Sequence, residues 1–209
     1  ERSNSIRAFF GLILFILFFK ELSKNVKLTF LVISLLSIFV LLFNSQYLKL
    51  RYTTQIKTAL SGNSQYIGLY KSGIKVFKNY PIFGVGNKNF RVETCKNFEL
   101  EGISKNEEKY WCTTHPHQIY LEFLSEHGLI GSLILLFIFF KLIFSKIFRV
   151  FKDANYVQLG SMIYLLTIFL PLLPSGAFFN DYSLTIFVMN LGIFYGSNKN
   201  FNIFNSKLT

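Results

Sequence analysis

The sequence predicts an all-α integral membrane protein with five transmembrane helices and a large, partly helical extracytoplasmic loop. Three observations carry this prediction. Apolar residues make up 51% of the chain, and 26 of its 209 residues are Phe. These residues gather in five blocks, about Ser5–Phe19, Val26–Phe43, Ile119–Phe144, Tyr156–Phe178 and Tyr182–Tyr195. Most of the blocks approach the roughly 20 residues that cross a bilayer core, and a chain this short has too little interior to hide all five. Finally, the basic residues recur on alternate connections.

The first two blocks place two spans within residues 1–43, separated by Lys20, Lys24 and Lys27. Residues 44–118 form a long loop, and residues 119–196 hold the other three spans. Lys141, Lys146, Arg149 and Lys152 surround the end of the third span, and Lys199 and Lys207 lie in the tail 197–209. The connection from Ser175 to Asp181 carries no Lys or Arg. If the chain weaves five times, all three basic groups fall on one face, which the positive-inside rule makes cytoplasmic. That puts Glu1 and the 44–118 loop outside. The loop itself is basic, with about eleven Lys and Arg against five acids, but long loops are largely exempt from the rule. A net charge of +11 would suit nucleic acid, yet this distribution argues for a membrane and against a nucleic-acid partner. The chain opens on Glu1-Arg2-Ser3, with neither an initiator Met nor a signal-peptide n-region, which reads as the C-terminal part of a larger membrane protein.

A 75-residue loop needs structure of its own. Tyr66, Leu69, Tyr70, Gly73, Ile74 and Phe77 recur at helical spacing, so a helix is predicted over about 65–78. Ser64 is placed to cap it and Pro81 lies just past its end. It would lie on the membrane or across the span ends. Lys71, Lys75 and Lys78 form its polar face, suited to solvent or to anionic lipid and phosphate. The following run, Asn79 to Arg91, contains Gly84 and Gly86, whose backbone another segment can approach closely. It lacks the strand–turn–helix setting of a nucleotide-binding loop. Arg91 could meet phosphate oxygens bidentately. Residues 96–110 read as a polar excursion. The two cysteines, Cys95 and Cys112, both fall in the loop, where an oxidising compartment permits a disulfide closing about 16 residues. Cys112 and His115 offer too few ligands for a zinc site.

The run Thr113-Thr114-His115-Pro116-His117-Gln118 meets the third span. Imidazole suits proton transfer near neutral pH. With Thr114 as N-cap and Pro116 in the first turn, His117, Tyr120, Leu121, Leu124 and Gly128 would share a helix face turned into the bundle. The helix N-terminus would help keep His117 neutral. Of the two histidines, His117 is the preferred base and His115 orients it or touches substrate. His127 falls on another face. Glu122 and Glu126 read first as structural and second as acceptor contacts. Gly128 and Gly131 would let a helix pack closely, and Pro171 and Pro174 would kink the fourth span.

Pro81-Ile82-Phe83-Gly84-Val85-Gly86 with Phe90, then His115 to Glu122, then Glu126-His127-Gly128-Leu129-Ile130-Gly131, resemble the C-terminal half of the O-antigen ligase/polymerase family. His117, Gln118 and Gly128 fit the family's pattern of His, then Asn, Ser or Gln, then nine residues, then Gly. Glu1-Arg2-Ser3 resembles its stretch before a transmembrane helix. The resemblance implies a GT-C-like helical bundle, and a glycosyltransferase that moves a glycan from undecaprenyl pyrophosphate to an acceptor sugar hydroxyl. It implies the periplasmic face of a bacterial inner membrane, and lipid A–core or another lipid-linked repeat as acceptor, in surface polysaccharide synthesis. It places the catalytic imidazole on His117 and a phosphate-contacting arginine on Arg2, with a second functional arginine at Arg91 or Arg51. Gln118 stands where Asn is commoner, and Gln118 and Lys71 join the substrate-binding candidates. No metal or other cofactor is called for if arginines stabilise the departing pyrophosphate. Two other readings are a transporter or channel and a membrane-anchored binding protein without catalysis. The first calls for polar residues at mid-bilayer or paired broken helices, and the second leaves the imidazoles at the span mouth unexplained.

Overall fold

The computed structural model describes residues 2–61, 64–96, 112–171, 173–199 and 201. Its elements are helical throughout these residues: α1 (Arg2–Phe18), α2 (Lys24–Asn44), α3 (Gln46–Leu60), α4 (Gln65–Asn79), α5 (Phe90–Lys96), α6 (Ile119–Leu142), α7 (Ile147–Lys152), α8 (Tyr156–Ile168) and α9 (Asp181–Gly196). α2 and the helical run that begins with α6 are long and apolar enough to cross a bilayer. α1, α8 and α9 are apolar but shorter, at 17, 13 and 16 residues. The outer loop holds more helix than its periodicity announces, since α3 and α5 flank α4 within it. Of the polar excursion at 96–110, Lys96 ends α5 and residues 97–110 lie outside the described residues.

The helices are tied at both ends by polar contacts. At one end the Lys27 ammonium donates to the Leu17 carbonyl at 2.8 Å, capping α1, and Lys20 reaches the Lys152 carbonyl. Asn155 donates to Ser197 at 2.6 Å, and buried Gln158 links the Phe194 carbonyl to Asn198. This is the lysine-rich end. At the other end the starts of α1, α6 and α9 meet the end of α8. Between the two ends, Phe139 anchors an aromatic cluster, with ring centroids 5.1 Å from Phe169, 5.6 Å from Phe178 and 5.4 Å from Phe187. Lipid tails are as apolar as these rings, so such packing and the polar ties hold the bundle rather than a drive to leave solvent. α2 buries no residue and exposes its apolar side chains all round.

α6 is not one straight helix. It breaks at Gly128, where φ is 63° and ψ −168°. In an unbroken helix the Leu129 and Ile130 N–H groups would donate to the Ser125 and Glu126 carbonyls. Instead Val85 N–H takes the Ser125 carbonyl at 3.0 Å and Gly86 N–H takes that of Glu126 at 2.8 Å. Leu129 N–H and Ile130 N–H turn to the carbonyls of Pro81 and Ile82, at 2.8 and 3.2 Å. The segment 81–86 is therefore spliced into the helix, and these four backbone groups find new partners across the break. Gly128 thus serves this exchange and not the close approach of a helix; Gly131 faces His127 of its own helix.

Two further expectations are revised. α8 ends at Ile168, so the fourth apolar block is not a kinked span running to Phe178. Pro171 and Pro174 cannot donate to a helix ladder, and residues 169–171 and 173–180 are instead a non-helical strap between α8 and α9. The buried face of α4 is Leu69, Ser72, Gly73 and Val76, whereas Ile74 is exposed. That face docks on the start of α6, so the tight fit at Gly73 sets its phase.

The spliced break yields a stability prediction. A Cβ at Gly128 would run into the Ile82 backbone, and one at Gly84 into that of Glu126, and both residues hold positive φ. Gly128→Ala and Gly84→Ala should each cost at least about 3 kcal/mol. Gly192→Ala, which meets nothing within 4 Å in the middle of α9, should be neutral or add up to about 1 kcal/mol. Thermal unfolding of the detergent-solubilised variants measures both, and equal melting of Gly128→Ala and wild type would contradict the splice.

Candidate functional site

The segment 112–118 is positioned from three sides. Cys95 of α5 and Cys112 are disulfide-bonded, with Cα atoms 4.5 Å apart, and the Thr94 hydroxyl lies 3.4 Å from the Thr113 carbonyl. α4 presses on Pro116: a Cβ on Gly73 would lie 2.8 Å from the Pro116 Cβ. On the third side Ser175 N–H donates to the His117 carbonyl at 2.8 Å.

These contacts change the register expected for the helix. The N-cap of α6 is Gln118, whose Oε1 accepts from Leu121 N–H at 2.7 Å, and neither Thr114 nor Pro116 belongs to the first turn. His117 precedes the cap with φ 55°. A left-handed residue cannot continue a helix, and its carbonyl is already engaged by Ser175. So His117 does not share a helix face with Leu121 and Leu124; the turn, not the helix phase, aims it. Gln118 is buried, and its side-chain oxygen is committed to the cap.

The two imidazoles are nevertheless brought together, with ring centroids 4.0 Å apart and planes at 39°. Tyr66 of α4 meets His117 edge-on at 6.3 Å. His115 is only 9% exposed. Its Nδ1 lies 2.9 Å from the Thr114 hydroxyl, and its Nε2 has no hydrogen-bond partner among the described residues. Burial, and then the neighbouring His117 ring, pull His115 down to about 4, against a smaller opposing pull from the Ser175 backbone.

Beside this pair lies a cavity of about 840 Å³. Its polar wall includes Asn4, Arg7, Tyr164, Ser175 and Asn180, and its apolar floor includes Leu12, Phe15 and Ile163. Neither imidazole lines it; Ile119, two residues past His117, and Ser175, hydrogen-bonded to the His117 carbonyl, do. Arg7 reaches Asn4 Oδ1 at 3.4 Å. Its charge also extends to Tyr70 of α4: burial and Tyr66 push that phenol up, and Arg7 pulls it back.

Arg7 was not among the residues singled out from the sequence. The signal was there in helical spacing. Asn4, Arg7, Ala8, Gly11, Leu12 and Phe15 form one stripe, with a single cation among apolar and small residues, and a charge inside a span marks function. Arg2 opens α1, but its side chain, like that of Arg51 in α3, lies outside the described residues. Five residues separate Arg2 from Arg7, so on a helix they point about 140° apart. Lys71 and Arg91 are exposed on α4 and α5, and neither lines the cavity. Asn180 lines it, whereas Asp181 pairs with Lys88 at 3.6 Å.

Glu122 and Glu126 are both buried, and both accept from backbone. Glu122 takes Phe178 N–H at 2.9 Å and Phe179 N–H at 3.4 Å. Glu126 Oε2 takes Lys88 N–H at 3.0 Å. His127 packs edge-on against Phe179 at 5.0 Å.

The burial of His115 has a measurable consequence. Its proton is held more weakly in the folded protein than in the unfolded chain, where the value is 6.5. Stability from this group is therefore complete above about pH 6.5 and falls as the pH drops toward about 4. His115→Gln should flatten that limb of the melting temperature against pH. A limb of unaltered slope would mean that His115 is not held neutral by burial.

A family model described as O-Antigen ligase matches residues 2–136, well over half of the chain. Comparisons with curated proteins and with solved structures yield no match. The matched stretch holds Arg7, the spliced 81–86 segment, both imidazoles and the broken helix, and the chain belongs to the O-antigen ligase family.

Proposed function

We propose that the protein is a glycosyltransferase that moves a glycan from undecaprenyl pyrophosphate to the hydroxyl of an acceptor sugar, on lipid A–core or on another lipid-linked repeat. The observation that carries this reading is the paired imidazoles set beside a cavity that is polar and cationic at one end and apolar at the other. Such a cavity matches an amphiphile with an anionic head and a hydrocarbon tail. Its volume of about 840 Å³ takes the head and part of a long prenyl chain, with the rest in lipid.

Arg7 is the guanidinium for the pyrophosphate. Its planar fork meets two oxygens at once, and the low-dielectric wall strengthens the contact as charge develops on the leaving group. The acceptor hydroxyl attacks the anomeric carbon from the opposite side. The new C–O bond forms as the bond to pyrophosphate breaks, and the configuration inverts. The hydroxyl proton passes to the His117 ring, and the prenyl pyrophosphate leaves with the electron pair of the broken bond. Arg2, at the start of α1 and turned away from Arg7, draws the anionic donor toward the cavity mouth, and Arg91, Arg51 and Lys71 are basic groups along the acceptor's approach.

The lysine-rich end of the bundle then faces the cytoplasm, and the histidine end the periplasm of a bacterial inner membrane. α1, α2, the run from α6, α8 and α9 make five crossings, the three short helices completed by the tied ends of the bundle. The bundle has a GT-C-like arrangement.

His117→Ala should lower glycan transfer by about 10²–10⁴-fold. Arg7→Lys should lower it by about 10²-fold or more, because a point charge replaces a fork. Transfer from a purified undecaprenyl-pyrophosphate glycan to defined acceptors, by variants in nanodiscs, measures both. Undiminished transfer by His117→Ala rules out His117 as the base.

A further inference from the structure

We propose that Glu122 is a positioning residue for His117, acting through the 173–180 part of the strap between α8 and α9. The inference rests on the reading of His117 as the base. It starts from the backbone of His117, whose φ of 55° is uncommon for a residue with a side chain and needs outside support. Part of that support is the hydrogen bond from Ser175 N–H to the His117 carbonyl at 2.8 Å. Ser175 belongs to a strap with no helical ladder of its own. Pro171 and Pro174 supply no N–H groups to it, so the strap depends on anchors from elsewhere.

The Tyr120 hydroxyl holds one end of it, donating to the Phe169 carbonyl at 2.6 Å, and Glu122 anchors the other. Its carboxylate is 2% exposed, and both its oxygens lie 2.9 Å from Phe178 N–H. Phe179 N–H adds a longer contact at 3.4 Å. Glu122 sits one turn into α6, four residues past Gln118, and Glu122 N–H donates to the Gln118 carbonyl at 2.9 Å. The loop of contacts is thus closed: from His117 to Ser175, along the strap to Phe178, across to the Glu122 carboxylate, and back down the first turn of α6 to His117. A buried carboxylate is costly. An apolar side chain would fill the same place at less cost, but it would leave the strap's N–H groups unpaired and Ser175 unfixed.

A reacting base tolerates little displacement, since an error of about 1 Å costs on the order of 10²-fold. Glu122→Ala should therefore lower kcat per folded molecule by about 10–100-fold, while the donor KM stays within about twofold. Hydrogen exchange at the Ser175 amide should speed up in the same variant. Glu122→Gln keeps a carbonyl oxygen for Phe178 N–H and should retain kcat within about fivefold. Ser175→Pro removes the N–H that holds His117 while leaving Glu122 in place, and should reproduce the kcat loss even if Glu122→Ala does not fold. The proposal is overturned if Ser175→Pro keeps full kcat, if Glu122→Gln loses as much as Glu122→Ala, or if Glu122→Ala loses stability alone at equal kcat per folded molecule. His117→Ala is assayed alongside. If it transfers normally, the assignment of the base fails; if it is inactive while the strap variants are not, only the positioning role fails.

Discussion

The backbone exchange at Gly128 is the constraint on which the rest of the structure depends. Four hydrogen bonds that cross between residues 81–86 and 125–130 replace the ladder that α6 gives up there. In a bilayer an unpaired N–H or carbonyl costs several kcal/mol, so a break at membrane depth survives only when another part of the chain takes over every freed group. Segment 81–86 does this for these four groups, which explains its composition. Pro81 contributes a carbonyl and needs no donor. Gly84 admits the Glu126 backbone at a distance that any Cβ would forbid. The outer loop is thus welded into the bundle at its midpoint, and α4, ending at Asn79, is held against the mouth of α6 as a consequence.

From that weld the site follows by successive short contacts. α4 reaches Pro116 through Gly73, and the disulfide brings α5 to the same segment. Glu126 steadies the loop beyond Gly86 through Lys88 N–H, and Glu122, one turn earlier, steadies the strap through Phe178 N–H. Two buried carboxylates on successive turns of one helix thus hold one loop each. Both accept only from backbone in these contacts, so neither needs a matching cation in the apolar interior, and the basic residues stay at the surface or at the cavity.

The sequence made much of this legible, and the reasons it fell short are local. Apolar blocks and lysine alternation marked the five apolar helices, because composition over fifteen or more residues outweighs any single exception. The face of α4 was read nearly in phase, but Ser72 took the place expected for Ile74, because close packing at Gly73 counts for more than hydropathy. The start of α6 was misread because Pro116 is a good first-turn residue in general. The competing cap, Gln118, is a weak one by type and wins only through its fit with Leu121 N–H. Pro171 and Pro174 read as a kink, since a kink and a strap differ only in whether something catches the chain afterwards. What catches it is Glu122, 56 residues away. Arg2 was chosen because the family resemblance falls on Glu1-Arg2-Ser3, whereas Arg7 lies inside the first apolar block and only the cavity marks its face of α1.

The pair of imidazoles gains its meaning from the inequality of their surroundings. Two rings 4.0 Å apart repel each other when both are charged. His115 is the more enclosed, and at about 4 it stays neutral near pH 7 whatever its neighbour does. A neutral His115, its ring tilted 39° to that of His117, adds no positive charge beside its neighbour. Arg7 remains the permanent positive charge of the cavity wall. In the proposed reaction the cation for the leaving group and the imidazole for the incoming hydroxyl sit on different elements, α1 and the turn before α6. Attack and departure on opposite sides of one carbon require that kind of separation.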